Sequence, residues 1–93
     1  MSNHPHSDRM AKIRSALAAL EPDLIELIDE SHLHAGHAGA QTGRGHYRLS
    51  IRSARFHGLN AVARHRLVYG ALGPLMQSDI HALSIDARSL EDD

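Results

Sequence analysis

Apolar residues recur at helical spacing near the start of the chain. Four of them fall at steps of three and four and so share one helical face: Met10, Ile13, Leu17 and Leu20. Ser7 or Asp8 can cap the first turn of this helix. Pro22 ends it, because the residue before a proline avoids the helical conformation.

Two strands follow, separated by a loop. Residues 24–29 are short and rich in Leu and Ile, which is typical of a strand. Residues 32–45 hold four glycines and little that is apolar, which predicts a flexible loop. Beyond it, Tyr47, Leu49 and Ile51 alternate with polar residues. This period of two predicts a half-buried strand with a basic outer face.

The second half predicts a helical segment and a third strand. Asn60 can cap a helix that runs to about Leu72, and Gly73-Pro74 should break or kink it. Residues 80–85 form the third strand. The order read from the residues is therefore helix, strand, strand, helix, strand. We predict a flexible tail over 1–7, a single domain over 8–88 and a polar C-terminal tail over 89–93.

Composition limits the kind of protein. The chain has 93 residues, enough for one modest core, and 3% aromatic residues, so that core must be aliphatic. It has no cysteine, which excludes disulfides and any thiolate metal site made by this chain alone. No run approaches the roughly 18 apolar residues of a membrane span, and the polar start lacks an apolar signal region. We therefore expect a cytoplasmic protein without a membrane partner.

Charge and histidine content are unusual. No acidic residue occurs from Ser31 to Ser78, a stretch that contains six arginines, which indicates a positive face. Nine of the 93 residues are histidines. They are His4, His6, His32, His34, His37, His46, His57, His65 and His81. Neutral imidazole is a good ligand for iron and zinc, so metal binding is one interpretation of this excess, and solvated or packing histidines are the other.

Four motifs, taken in order, resemble those of one protein family. They are Asp-Glu-Ser-His-Leu-His-Ala-Gly-His-Ala-Gly at 29–39, Ser-Ala-Arg-Phe-His-Gly at 53–58, Arg-His-Arg-Leu-Val-Tyr at 64–69 and Ile-His-Ala-Leu at 80–83. They are similar to the loop, the segment after the second strand, the helix signature and the third-strand signature of BolA proteins. The resemblance runs from about residue 10 to residue 87.

The resemblance implies both a fold and a partnership. The fold is α+β, a three-stranded mixed sheet with helices packed on one face, in the order α-β-β-α-α-β, and it resembles a class II KH domain. The partner is a monothiol glutaredoxin, and a two-iron two-sulfur (2Fe-2S) cluster is bridged between the two proteins. The glutaredoxin supplies its cysteine and bound glutathione a second thiolate. We expect the chain to be a monomer alone and a heterodimer with its partner. Because the sequence has no nucleophilic cysteine, phosphate loop or HExxH string, we expect that it is not an enzyme.

His81 is the first candidate ligand, because the family supplies a histidine from its third strand. A strand end holds the backbone of such a residue in place, so its ring is positioned. The alternative is a half-buried packing role, since alternation places His81 on the same face as Leu83 and Ile85.

The second ligand is open among several histidines. His34 best matches the family's loop ligand, with His32 and His37 as alternatives in the same loop. His46 is their rival, because it opens the second strand and can approach His81 if their two strands pair.

A second function is open as well. KH-like folds often bind single-stranded nucleic acid, and BolA proteins have been proposed to act in transcription. Arg48 and Arg52 on the exposed strand face, with Arg64 and Arg66 on the helix, would then contact phosphates of DNA. The string of residues 70–73, Gly-Ala-Leu-Gly, matches the GXXG motif of KH domains, but we expect it inside the helix, where no loop forms.

Overall fold

The computed structural model describes residues 5–31 and 45–91. Its helices are α1 (Pro5–Leu17), α2 (Ala61–Leu72) and α3 (Leu75–Ser78), and its strands are β1 (Leu24–Asp29), β2 (Gly45–Arg52) and β3 (Ile80–Arg88). Two short 3₁₀ turns, Ala18–Leu20 and Ala54–Phe56, follow α1 and β2. The order α-β-β-α-α-β is confirmed.

The three strands form one mixed sheet in the order β1-β2-β3. β1 runs antiparallel to β2, and β3 runs parallel to β2. A parallel neighbour needs a crossover, which α2 and α3 provide between β2 and β3. Leu49, in the central strand, lies between Leu27 of β1 and Ile85 of β3.

The core lies between the helices and one face of this sheet. Alternate residues of β2 are buried, namely Tyr47, Leu49 and Ile51. The predicted stripe of α1 meets them, with Ile13 and Leu17 fully buried. The described helices therefore pack on one face of the sheet, as predicted.

The helix boundaries follow local chemistry. The Asn60 side chain accepts a hydrogen bond from the Ala63 backbone N–H at 2.9 Å and so caps α2. Gly73 ends α2 with a φ of +54°, which favours glycine. Glu21 ends the 3₁₀ turn after α1. α1 begins at Pro5, earlier than the cap at Ser7 or Asp8 that the sequence predicts.

Within residues 5–31 and 45–91, no helix combines the length and the apolar character that crossing a bilayer requires.

Candidate metal centre

Two histidines meet where the parallel strands begin. His46 is the second residue of β2 and His81 the second residue of β3. Their ring centroids are 5.0 Å apart, and the ring planes are inclined by 51°. The approach of His46 to His81 depends on the parallel pairing of β2 with β3, in which His46 lies opposite Ala82. We call these two side chains the histidine pair.

An irregularity in the ladder sets the direction of His81. Gly45 lies opposite Ile80 and His46 lies opposite Ala82, so β3 advances by two residues, past His81, while β2 advances by one. Such a bulge re-aims side chains.

The exposure of the side chains at the start of β3 follows from this bulge. Ile80 is buried and Leu83 half-buried, while His81 and Ala82 between them are both exposed. Simple alternation, which places His81 with Leu83 and Ile85, is therefore wrong here. His81 leaves the helix-covered face and meets His46 on the other face.

The backbone of His46 is held at both of its polar groups. Its N–H donates to Ser31 Oγ at 3.0 Å, and its carbonyl oxygen accepts from the Glu30 N–H at 2.8 Å. The Ser31 N–H in turn donates to Asp29 Oδ1 at 2.8 Å. His46 is only 9% exposed, so its ring is enclosed while that of His81 is open to solvent.

The loop candidates His32, His34 and His37 lie outside the described residues. Ser31 and Gly45, the described residues on either side of this loop, both contact the strand ends that carry the histidine pair. Among the residues that the structure describes, no group of three or more His, Cys, Asp or Glu side chains could hold a metal ion. The pair is thus a two-donor arrangement, and its ligand role stays a prediction.

The spacing of the histidine pair suits one metal ion. In a tetrahedral site with metal–nitrogen bonds of about 2.0–2.1 Å, the centroids of two coordinating imidazoles are about 5 Å apart. The observed 5.0 Å agrees with this value. Neutral imidazoles also belong to the donors that iron accepts beside thiolates. The distance between the two ring centroids is therefore the one expected for two imidazoles on one metal ion whose other donors come from elsewhere.

The predicted arginine face is largely occupied by contacts within the chain. Arg48 pairs with Glu30 at 3.3 Å, and Arg52 pairs with Asp23 at 3.1 Å. Arg64 donates to the carbonyl oxygens of Leu59 and Ala87, at 2.8 and 3.0 Å. Arg66 is exposed on α2, and no ion pair links it to another described residue.

The outer face of β2 is therefore less positive than the sequence pattern suggests. The acidic partners flank β1, with Asp23 before its start and Glu30 after its end, and the antiparallel ladder brings both to β2. Residues 70–72 are helical, as expected for the Gly-Ala-Leu-Gly string, and only Gly73 lies in a turn.

Sequence reasoning missed Asp79, which precedes β3. Its side chain is 8% exposed, and its Oδ2 atom lies 2.7 Å from Lys12 Nζ and 3.3 Å from Arg9 Nε. Hydrogen bonding from Lys12, followed by Ser78 and Arg9, holds the pKa of Asp79 below its ordinary value. The available signal was its place as the first acidic residue after a long stretch without one.

A second missed feature is the contact of Gly45 with Tyr47. The Tyr47 ring packs over the glycine so closely that a Cβ atom at position 45 would lie 2.5 Å from Tyr47 Oη. Tyr47 is 2% exposed, and burial raises the pKa of its hydroxyl. Glycine is therefore strongly favoured over residues with a Cβ atom where β2 begins, next to the histidine pair.

Comparisons with known proteins agree on one family. A sequence model of the BolA-like protein family matches residues 17–92. BolA-like protein 1 of Bos taurus is 44% identical over 80 residues, which cover 85% of this chain and 57% of that protein. The chain spans just over half the length of the first curated relatives it matches.

Solved structures show the same likeness. BolA1 from Arabidopsis thaliana superposes with a TM-score of 0.76 at 32% identity, covering 100% of this chain and 99% of that one. The BolA domain of SufE1 from Arabidopsis thaliana superposes with a TM-score of 0.75 at 38% identity, covering 96% of each chain.

Proposed function

The chain belongs to the BolA-like protein family, and on that premise we propose that it shares a 2Fe-2S cluster with a monothiol glutaredoxin and its bound glutathione. In this role it takes part in the assembly, trafficking or sensing of iron–sulfur clusters. The observation that carries the proposal is the histidine pair, whose two rings are 5.0 Å apart on the face of the sheet opposite the helices.

The donor set of the chain argues for a shared site. Iron–sulfur clusters are usually held by thiolates, and this chain has no cysteine. When bound, a cluster with two imidazoles and two thiolates accepts electrons at a higher potential than one with four thiolates. The two thiolates must come from the partner and its glutathione. The proposal is therefore a complex of two proteins.

Each histidine would contribute differently. His46 is enclosed, and its backbone is held by Ser31 and Glu30, so its ring enters the complex already oriented. His81 is exposed, so its ring is open to a group brought by another protein. His46 is the described histidine best placed to be the second ligand, and His34 is the one for which the family resemblance argues.

The experiment is a mixed-complex spectrum. The chain is combined with a glutathione-loaded monothiol glutaredoxin, iron and sulfide, and visible absorption and circular dichroism are recorded. Replacing a thiolate by an imidazole changes the charge-transfer bands, so we expect a spectrum distinct from that of the glutaredoxin alone. His81→Ala and His46→Ala should each abolish that difference. His57→Ala, which removes an exposed histidine that is not a candidate ligand, is the matched control.

The loop candidate is tested in parallel with His34→Ala. Loss of the mixed spectrum in His34→Ala but not in His46→Ala would move the second ligand to the loop. A spectrum identical to that of glutaredoxin alone in the unsubstituted chain would overturn the proposal. So would retention of the mixed spectrum in both His81→Ala and the double variant His34→Ala/His46→Ala.

DNA binding stays a prediction with less support. Two of its four arginines, Arg48 and Arg52, are paired with carboxylates, and Arg64 is bonded to backbone oxygens. Phosphate contacts would have to displace these partners, which reduces the gain from each contact.

A further inference from the structure

We propose that Asp79 is a positioning residue for the histidine pair. The Asp79 carboxylate binds the start of β3 to α1, and the Asp79 carbonyl oxygen binds it to β2. Together these two contacts fix the bulge that brings the His81 ring beside the His46 ring. This inference deepens the proposed function and rests on it only for the consequence for metal binding. The arrangement of the two rings is a property of the protein without metal.

The carboxylate of Asp79 is buried in a cluster of donors. Lys12 and Arg9 both contact Oδ2, and the Ser78 hydroxyl donates to Oδ1. A buried carboxylate is costly unless charged groups and hydrogen bonds compensate it. Because both cations come from α1, moving Asp79 away from α1 would leave this charge uncompensated. The position of Asp79 is therefore set by the helix.

α1 is a rigid support for this contact. Arg9 and Lys12 are three residues apart and share a helical face, so one carboxylate reaches both. One residue beyond Lys12, Ile13 is fully buried in the core, as is Leu17 one turn later. The helix that holds Asp79 is thus itself held by packing against the sheet.

The backbone of Asp79 continues the attachment into the sheet. Its carbonyl oxygen accepts a hydrogen bond from the Gly45 N–H at 2.9 Å, and its own N–H donates to the Leu75 carbonyl at 3.0 Å. The next residue, Ile80, is 1% exposed. Asp79 therefore contacts α1, α3 and β2 two residues before His81, the residue at the bulge.

The bulge decides which face His81 occupies. If regular alternation continued backwards from the inward-facing Leu83, Ala82 would point outward and His81 inward, towards the helices. His46 points outward, because Tyr47 after it is buried in the core. The two rings would then lie on opposite faces of the sheet. Holding Asp79 and Ile80 in place forces the extra residue into the ladder and keeps both rings on one face.

The test compares two ways of breaking the attachment. Asp79→Asn removes the charge and keeps the shape, whereas the double variant Arg9→Ala/Lys12→Ala removes the partners without touching β3. In the metal-free protein, nuclear Overhauser contacts between the ring protons of His46 and His81 report their arrangement. We expect this contact to be lost or strongly weakened in both variants.

Controls separate positioning from a general loss of stability. Ser53→Ala removes a buried hydroxyl that donates to the Leu20 carbonyl at 2.6 Å, and so lowers stability at the far end of β2. Asp23→Asn breaks the pair with Arg52, a carboxylate-to-amide change at that same end. Both should keep the contact between the His46 and His81 rings.

A second measurement uses Co²⁺ alone as the probe. Paramagnetic broadening of the His46 and His81 ring signals is followed as Co²⁺ is added, which distinguishes this pair from other histidines. We expect Asp79→Asn to weaken binding at the pair by about tenfold, the lower end of what residues supporting metal ligands contribute. Asp23→Asn should leave the binding curve unchanged.

The outcomes distinguish this inference from the proposed function. If both anchor variants keep the ring contact and the Co²⁺ affinity, Asp79 does not position the pair, whatever the mixed spectrum shows. If they lose the contact while the unsubstituted chain forms no mixed complex with glutaredoxin, the positioning role holds and the proposed function fails.

Discussion

Replacing Gly45 by alanine tests how closely the start of β2 is packed. A Cβ atom at this position would lie 2.5 Å from Tyr47 Oη and 2.6 Å from both Cε2 and Cζ of the same ring. Such distances are far below the usual carbon contact of about 3.5–4.0 Å. The atoms in the way belong to a rigid ring that is 2% exposed, so the ring cannot turn aside into solvent.

The size of the effect follows from this overlap. Relieving it requires the Tyr47 ring or the start of β2 to move by about 1 Å, and overpacking of this kind costs about 1–3 kcal/mol. In a domain of this size, a loss of 2 kcal/mol lowers Tm by about 8–16 °C. We therefore expect Gly45→Ala to lower Tm by about 8–16 °C.

Thermal and urea unfolding, followed by far-ultraviolet circular dichroism, measure this change. Gly70→Ala is the matched control, because a Cβ atom at Gly70 meets nothing within 4 Å. Position 70 lies inside α2, so alanine should stabilise the protein there by about 0.5–1 kcal/mol. The same substitution should thus have opposite signs at the two glycines.

A double-mutant cycle identifies the cause. Tyr47→Leu removes the three ring atoms that crowd position 45, so adding Gly45→Ala to it should cost little. Tyr47→Phe removes only the hydroxyl and leaves Cε2 and Cζ, so Gly45→Ala should stay destabilising in that background. Equal stability of Gly45→Ala and the unsubstituted protein would refute the reasoning. So would an undiminished cost in the Tyr47→Leu background.

Three further outcomes are expected. Asn60→Ala should lower the free energy of unfolding by about 1 kcal/mol, because the cap of α2 is lost; urea unfolding that shows no change would contradict the cap. The pKa of Asp79 is held below 3.8, chiefly by hydrogen bonding from Lys12. The ionised Asp79 carboxylate therefore stabilises the folded state above pH 3.8, and this contribution is lost as the pH falls through the lowered pKa of the folded state. As the pH is lowered, the free energy of unfolding should therefore fall less steeply for Asp79→Asn than for the unsubstituted chain. Equal slopes for the two proteins at acid pH would contradict this. Replacing both Arg48 and Arg52 by alanine should lower the affinity for single-stranded DNA and its salt dependence only slightly, because pairing with carboxylates reduces the gain from each phosphate contact. A large drop measured by fluorescence anisotropy would restore the DNA-binding interpretation.

Local patterns predicted most of the fold. The stripe that includes Ile13 and Leu17 is buried as its spacing indicates, because helical geometry places such residues on one face. β1 has the predicted bounds, and Asn60 and Gly73 bound α2 as their chemistry requires. These features depend on neighbours along the chain, which the sequence displays directly.

The candidate site was predicted only in part. His46 and His81 were both candidates, but their mutual distance depends on which strands pair and in which register. The face that His81 occupies could not be derived from alternation, because one bulge reverses it. The ion pairs of Arg48 and Arg52 could not be predicted either, since their acidic partners lie on another segment of the chain.

The sequence by itself thus determined the order of the three strands and the two longer helices, both ends of α2, the absence of thiolate ligands and the set of candidate histidines. Only the tertiary structure decided that His46 and His81 meet, that Asp79 is attached to α1, and that Gly45 lies beneath the Tyr47 ring. The physical reason is the range of the interactions. Helix and strand propensities act over a few residues, whereas these contacts join segments that come together only when the sheet and its crossover have formed.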